Sequence, residues 1–280
     1  MTDVLVIGVH GQMGRSVADA GRRLGMAVVG HDLDTLDIRD PEAVLAVVQD
    51  TRPSVLVNCA AFTAVDDCES NEGAALAVNG TAVGHLATAC AAFDARLIHL
   101  STDYVFDGTG RRPYQEDDPV APATAYGRTK LEGERQARTI PDHLVVRTAW
   151  LYGHGGRHFV DAIRRQIEGG AGSLRVVADQ VGSPTFCDDL ADALLGLSAT
   201  PATGIVHVVN SGQVSWHGFA QEIARLLESD VTVHPVTTAD YPRPAPRPAY
   251  SVLDTSKLTG LLGRRMPPWE DALARYLGAR

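Results

Sequence analysis

Lysine is almost missing. Of 25 basic side chains in 280 residues only Lys130 and Lys257 are lysines, against 34 acidic residues and a formal net charge of −9. A chain that grips nucleic acid through its phosphates needs the opposite balance, so no nucleic-acid partner is expected. Cysteine is scarce as well. Cys59, Cys68, Cys90 and Cys187 form no CxxC pair, and three of them lie in or beside apolar stretches that read as core, which argues against a disulfide scaffold or a thiolate zinc site. The ten histidines include no HExxH spacing, so no catalytic metal is expected. The opening MTDVLVIGVHG has an acid at position 3 and then runs into glycine, unlike a signal peptide, and no later stretch approaches about 18 uncharged apolar residues. A cytoplasmic protein with no membrane partner is the expectation. Internal repeats and low-complexity tracts are lacking too.

What the chain does have is a rhythm. Short runs rich in valine and isoleucine recur at Val4 to Ile7, Ala27 to Val29, Val55 to Val57, Leu97 to Leu100 and Leu144 to Val146. They read as strands of a parallel sheet buried on both faces. Between them lie stretches with helical spacing, marked by Met13, Val17 and Leu24, by Val44, Leu45 and Val48, and by Ala75, Val78, Leu86 and Ala89. Strand alternating with helix predicts an α/β fold with a Rossmann-like doubly wound parallel sheet. Past residue 150 the pattern loosens, with strands expected at Leu174 to Val177 and Ile205 to Val209 and helices near Leu190 to Leu197 and Phe219 to Leu227. Residues 1–150 are therefore read as a dinucleotide-binding domain to which strands near 205–209 return, and 151–280 as a smaller, partly interleaved substrate-binding region.

The first strand runs into GVHGQMG, which places Gly8, Gly11 and Gly14 at a strand-to-helix turn. Glycine there permits tight dihedrals and a close backbone approach, and the helix from Gln12 to Leu24 offers unpaired amides to a diphosphate. The second strand ends at GHDLD, about twenty residues on, where His31 or Asp32 is placed against the adenosine ribose and a carboxylate favours NADH by repelling a 2′-phosphate. Asp37 and Ile38 follow a short loop and are placed to border the adenine.

The fourth strand ends in HLSTDYVFDG and leaves Ser101, Thr102 and Asp103 at the carboxyl edge of the sheet, where ligands of this architecture bind. Tyr126 and Lys130 are four apart, so on a helix from Ala125 to Ala137 both project from one face. Reduction of a ketone by a nicotinamide hydride makes an alkoxide that a nearby phenol must protonate. A neighbouring ammonium favours the phenolate, a threonine hydroxyl can donate to the same oxygen, and the remaining lysine donors can hold the nicotinamide ribose.

These strings, together with RPSVLVNCAAFTAVD, VVRTAWLYG, DQVGSPT, YPRPAPRP and PPWEDAL, span nearly the whole chain and resemble the dTDP-4-dehydrorhamnose reductase family of the extended short-chain dehydrogenases/reductases. The resemblance implies reduction of the C4 ketone of a dTDP-sugar with NADPH or NADH, by a monomer or a homodimer. It implies a catalytic trio of Thr102, Tyr126 and Lys130, with Asp103 and Trp150 touching the sugar. It also implies a cofactor turn using Gly11, Gln12 and Met13, with Ala61, Phe62 and Thr63 lining the dinucleotide beyond the third strand and Leu100 closing the fourth. Phe62 stands where the family often has histidine, and His10 sits inside the glycine turn, so both departures bear on the choice between NADH and NADPH. Some members hold magnesium at a subunit contact through glutamates; here Arg15 and the stretch Phe186 to Asp188 stand at those positions, and no metal is expected. Two alternatives carry the same resemblance. One is a ketoreductase for another dTDP-4-keto-6-deoxyhexose, and the other is a non-catalytic regulatory subunit like that of methionine adenosyltransferase, which needs no proton-transfer trio.

The second half adds binding groups. Trp150 offers a flat indole to a sugar or pyrimidine ring. Gln180 or Thr185 offers uncharged hydrogen bonds to the sugar nucleotide. Arg247, and less so Arg243, is placed by a proline-stiffened loop to clamp a diphosphate. That loop, at 241–250, is read as a rigid connection rather than as a polyproline ligand, and His207 as a packing residue.

Overall fold

The computed structural model describes residues 2–278. Its first half alternates as read, with β1 (Thr2–Ile7), α1 (Gln12–Arg23), β2 (Val28–His31), α2 (Pro41–Thr51), β3 (Pro53–Asn58) and α3 (Val65–Ser70). Then α4 (Glu72–Leu76) runs through a π-helical turn at Ala77–Thr81 into α5 (Ala82–Ala92), followed by β4 (Arg96–Thr102), α6 (Ala125–Ala137) and β5 (His143–Thr148). A strand at Gly204–His207 pairs with β5, giving a six-stranded parallel sheet in the order 204–207, β5, β4, β3, β1, β2.

Successive residues of a strand point to opposite faces, and both faces here are apolar. Val4, Val6, Val55, Val57, Ile98 and Val146 pack on one side beneath α1 and the helix Cys187–Ser198, whereas Leu5, Ile7, Leu56, Leu97 and Val145 face α2 and α5 on the other. The chain changes sides between β1 and β3, so their carboxyl ends flank a crevice suited to a ligand. Past residue 150, strand Ser173–Val177 pairs in parallel with Thr232–Val236, and a separate core forms around Tyr152, Phe219 and Trp269. The same stretch also sends helix Cys187–Ser198 and strand Gly204–His207 back to the main sheet.

Three expectations shift. The second strand starts and ends later than Ala27 to Val29, because Gly30 lets the strand pass directly against the Val9 side chain, which a Cβ there would meet at 2.5 Å. Leu24 is the C-cap of α1 rather than part of its buried stripe and is 65% exposed. The expected absence of a long apolar stretch is corrected by residues 73–92, which hold no Asp, Glu, Lys or Arg. The helical run Glu72–Ala92 is long and apolar enough by composition to cross a membrane, and half of its most apolar window is buried inside the fold. It packs there against α2 and α6.

Candidate active site

The glycine turn is built by exclusion of side chains. Gly8 has φ +81°, and a Cβ on it would lie 2.8 Å from the Ala60 amide nitrogen; a Cβ on Gly14 would lie 2.1 Å from the Gly8 carbonyl oxygen. The α1 helix is thereby drawn onto the end of β1. Gly11 is its N-cap, no side chain caps it, and its first turn carries no acid, so its leading amides remain available to a diphosphate. Gln12 lines the cavity beside the turn, with its Oε1 buried and unpartnered among the described residues, while Met13 turns into the core and offers only backbone. These features fit a dinucleotide.

At the end of β2, His31 is the last strand residue and the Asp32 carboxylate accepts the amides of His10 and Leu33, both at 2.8 Å. His10 also approaches Asp34 at 3.7 Å. The adenine-bordering pair fares differently. Asp37 is engaged by the Arg39 guanidinium at 2.6 Å, which holds its carboxyl down at about 2. The Ile38 side chain turns into the core beside Leu36 and Val44, leaving its carbonyl to accept from His85 Nδ1 at 3.1 Å.

Beyond β3, the Ala61–Phe62–Thr63 stretch is pinned by a residue that the sequence reading missed. Asn79 Oδ1 accepts the Phe62 amide at 2.8 Å, and its Nδ2 donates to the Phe62 carbonyl at 3.0 Å and to Thr129 Oγ1 at 3.2 Å. Asn79 sits in the π-helical turn and is fully buried, and an asparagine inside an otherwise apolar helical run was its signal. Thr63 lines the cavity; the Phe62 ring packs with Tyr126, Cys68 and Ala125.

Thr124 caps α6 by accepting the Gly127 amide at 3.0 Å, which sets Tyr126 in the first turn and Lys130 one turn later. Tyr126 and Thr102 both line the cavity. Burial, and then the Asp103 charge, raise the Tyr126 phenol above its usual range, while the Thr102 hydroxyl pulls it down. The lowering expected from Lys130 does not show among the groups that shift this phenol. Lys130 is 2% exposed and donates to the Leu100 carbonyl at 2.6 Å, so Leu100 serves through its backbone while its side chain packs in the core. Burial pushes the Lys130 ammonium down to about 8. Thr102 donates to Asp103 Oδ1 at 2.9 Å, and burial pushes Asp103 up to about 6 against the pull of the Ser251 and Thr102 hydroxyls.

Beneath the trio lies a buried ion pair that sequence reasoning also missed. Arg147 of β5 donates Nε and Nη2 to the two oxygens of Glu134 on α6, both at 2.8 Å, and Ser101 donates to Glu134 at 2.6 Å. It ties α6 to the ends of β4 and β5, which carry the reacting groups.

Above the trio is a cavity of about 720 Å³ that joins Gln12 to the C-terminal loop. Trp150 lines it from a strained backbone, φ +49°, and stacks flat on Trp216, centroids 3.4 Å apart and 4° from parallel. Trp216 is a second aromatic wall that the sequence did not mark. Arg247 and Arg243 line the cavity as expected, and the structure adds a partner for them: both terminal nitrogens of Arg247 lie 2.9 Å from the two oxygens of Asp66, with Arg243 at 4.0 Å, so the loop is tied to α3. Arg157 and Arg175 line the same cavity and make no ion pair among the described residues. Gln180 lines it too, bonded to Thr238 at 3.0 Å. Thr185 does not serve as expected, since it is fully buried and its hydroxyl donates to the Ser183 carbonyl. His207 is buried edge-on to Phe106, and Asp188 accepts from Ser16 at 2.7 Å.

The family model for the RmlD substrate binding domain matches residues 1–280. Among curated proteins, a probable dTDP-4,6-dihydroxy-2-methyloxan-3-one 4-ketoreductase of Streptomyces antibioticus is 46% identical, covering 96% of this chain and 92% of that protein. A dTDP-4-dehydrorhamnose reductase of Streptomyces griseus is likewise 46% identical, over 98% of this chain and 93% of that protein. The crystal structure of dTDP-4-dehydrorhamnose reductase from Bacillus anthracis in complex with NADP is 34% identical, covers 99% of this chain and 98% of that one, and superposes with a TM-score of 0.95.

Proposed function

Because this chain belongs to the RmlD substrate binding domain family, we propose that it reduces the C4 ketone of dTDP-4-dehydro-L-rhamnose to give dTDP-L-rhamnose. The observation that carries the reading is one cavity onto which Thr102, Tyr126 and Asp103 all open, with Gln12 of the glycine turn at one end and two tryptophans and four arginines towards the other. NADPH or NADH, held along Gly8 to Gly14 and the β2 end, supplies hydride to C4. Tyr126 gives its phenolic proton to O4 as negative charge forms there, and Thr102, turning its single hydroxyl proton from Asp103 to the substrate, donates a second hydrogen bond to that oxygen. Asp103, which lines the cavity beside Thr102, is placed to accept from a sugar hydroxyl. Arg157 and Arg175, which make no ion pair among the described residues, join the Asp66-bound Arg247 as cations for the diphosphate. Asp32 favours NADH by repelling a 2′-phosphate, whereas the Bacillus relative carries NADP, so both cofactors belong in the assay.

The equal identity to the Streptomyces antibioticus 4-ketoreductase supports a second reading, in which another dTDP-4-keto-6-deoxyhexose is the substrate. We place the enzyme in the cytoplasm as a monomer or homodimer, every named reacting group coming from one chain. The test is oxidation of NADPH or NADH on addition of dTDP-4-dehydro-L-rhamnose made in place, run beside other dTDP-4-ketosugars. Turnover with the rhamnose precursor well above the others is expected. Preference for another ketosugar supports the second reading, and no turnover with any of them overturns both.

A further inference from the structure

Lys130 is watched from behind by two buried polar residues that the reaction does not use directly. His99, on β4, is fully buried with its Nε2 3.5 Å from Lys130 Nζ, and its Nδ1 lies 3.1 Å from Asn58 Nδ2 at the end of β3. The Asn58 amide cannot turn round without loss, because its Oδ1 accepts the Ala60 amide at 3.1 Å. Its NH₂ must then face His99, which makes Nδ1 an acceptor and places the single proton of the neutral ring on Nε2. That N–H points at Lys130. It can donate to the lone pair of an amine, and it opposes an ammonium.

We propose that Asn58 and His99 are positioning residues that bias Lys130 toward releasing a proton, by fixing the Nε2–H tautomer of the imidazole against Nζ. The space is reserved for this arrangement by Gly133, where a Cβ would lie 3.0 Å from His99 Nε2 and 2.1 Å from the Asn79 carbonyl oxygen. Among the described residues the other groups whose charge acts on Lys130 are Glu134 on its own helix and Cys59 just after β3, and both favour the ammonium; Tyr126 stands one turn earlier on the same helix. Burial outweighs them for Lys130, and burial with the lysine charge keeps His99 neutral, far below its ordinary range. The use of such a lysine rests on the reductase reading: after Tyr126 has given its proton to O4, an easily discharged ammonium can restore one proton to the phenolate and is left as an amine to which His99 donates.

The scarcity of lysine makes the test direct. Protein labelled with ¹³C at the lysine ε-carbon gives two signals, Lys130 and Lys257, and the second serves as an internal reference. Lys130 is expected to titrate at about 8 in the wild type. It should move up by about one unit or more in Asn58→Leu, which frees the tautomer, and in Asn58→Asp, which accepts from Nδ1–H and turns Nε2 into an acceptor. The basic limb of the kcat/KM profile should move with it. Unshifted Lys130 titration in the folded variants overturns the proposal. Should neither variant fold, long-range ¹H–¹⁵N correlation on the wild type reads the His99 tautomer, and a proton on Nδ1 overturns it equally. None of these spectra depends on a substrate, so they stand or fall apart from the reductase assay.

Discussion

Replacing Arg147 with methionine would leave the Glu134 carboxylate in the interior with its countercharge gone. Both side chains are 2% exposed, and two hydrogen bonds of 2.8 Å join them. Removing one member of a buried pair costs about 3–5 kcal/mol, mostly because the survivor is uncompensated. For a chain of this size that lowers the melting temperature by on the order of 10 °C. Arg147→Met with Glu134→Leu removes both charges and restores apolar volume, so it should recover most of the loss. What remains is roughly 1–3 kcal/mol for the Ser101 hydroxyl and the Glu116 carbonyl, which Arg147 Nη1 reaches at 3.3 Å. Urea unfolding of the wild type, both single variants and the double variant reads these terms at one pH. A loss below about 1 kcal/mol in Arg147→Met, or a double variant as unstable as the single, would refute the view that an unpaired buried charge dominates.

Three further outcomes follow from the site. Gly14→Ala forces a Cβ to 2.1 Å from the Gly8 carbonyl oxygen, so dinucleotide affinity, read by fluorescence titration, should fall about tenfold or more; unchanged affinity contradicts the cradle. Asp66→Asn and Arg247→Gln should each raise KM for the sugar nucleotide by unlocking the 241–250 loop, with the double variant no worse than either; additive effects would mean that the two act separately. Asp103, raised from 3.8 to about 6, destabilises the fold by on the order of 3 kcal/mol above pH 6, a penalty that disappears as pH falls through 6 toward 3.8. Asp103→Asn should therefore be more stable than the wild type at pH 8, with the advantage shrinking toward pH 4; a difference independent of pH contradicts this.

The sheet could be read from the sequence because parallel strands covered on both faces are continuous apolar runs, and Val4 to Ile7 or Leu97 to Leu100 need no partner information to stand out. The same holds for α6, whose Thr124 cap and Tyr126–Lys130 spacing are local. The Asp66 partner of Arg247 could not be read, since it stands 181 positions away and only the fold brings a carboxylate to that guanidinium. Trp216, Asn79 and the Glu134–Arg147 pair were missed for the same reason: each acts through contacts that cross between elements. Leu24 was misplaced because cap geometry decides which way a lone apolar residue turns, and loop geometry likewise turns the Ile38 side chain into the core, which its position in the sequence does not reveal.

In the proposed reaction Tyr126 protonates O4 while hydride reaches C4 of a dTDP-4-ketosugar. The direct measurement is incubation with dTDP-4-dehydro-L-rhamnose and nicotinamide cofactor deuterated on the transferring face, with the product read by NMR. The wild type should give dTDP-L-rhamnose carrying deuterium at C4, and Tyr126→Phe should lose about 10²–10⁴-fold of that rate while still binding the dinucleotide. Deuterium transfer to C4 at the wild-type rate in Tyr126→Phe, or its absence from C4 in the wild-type product, would contradict the account.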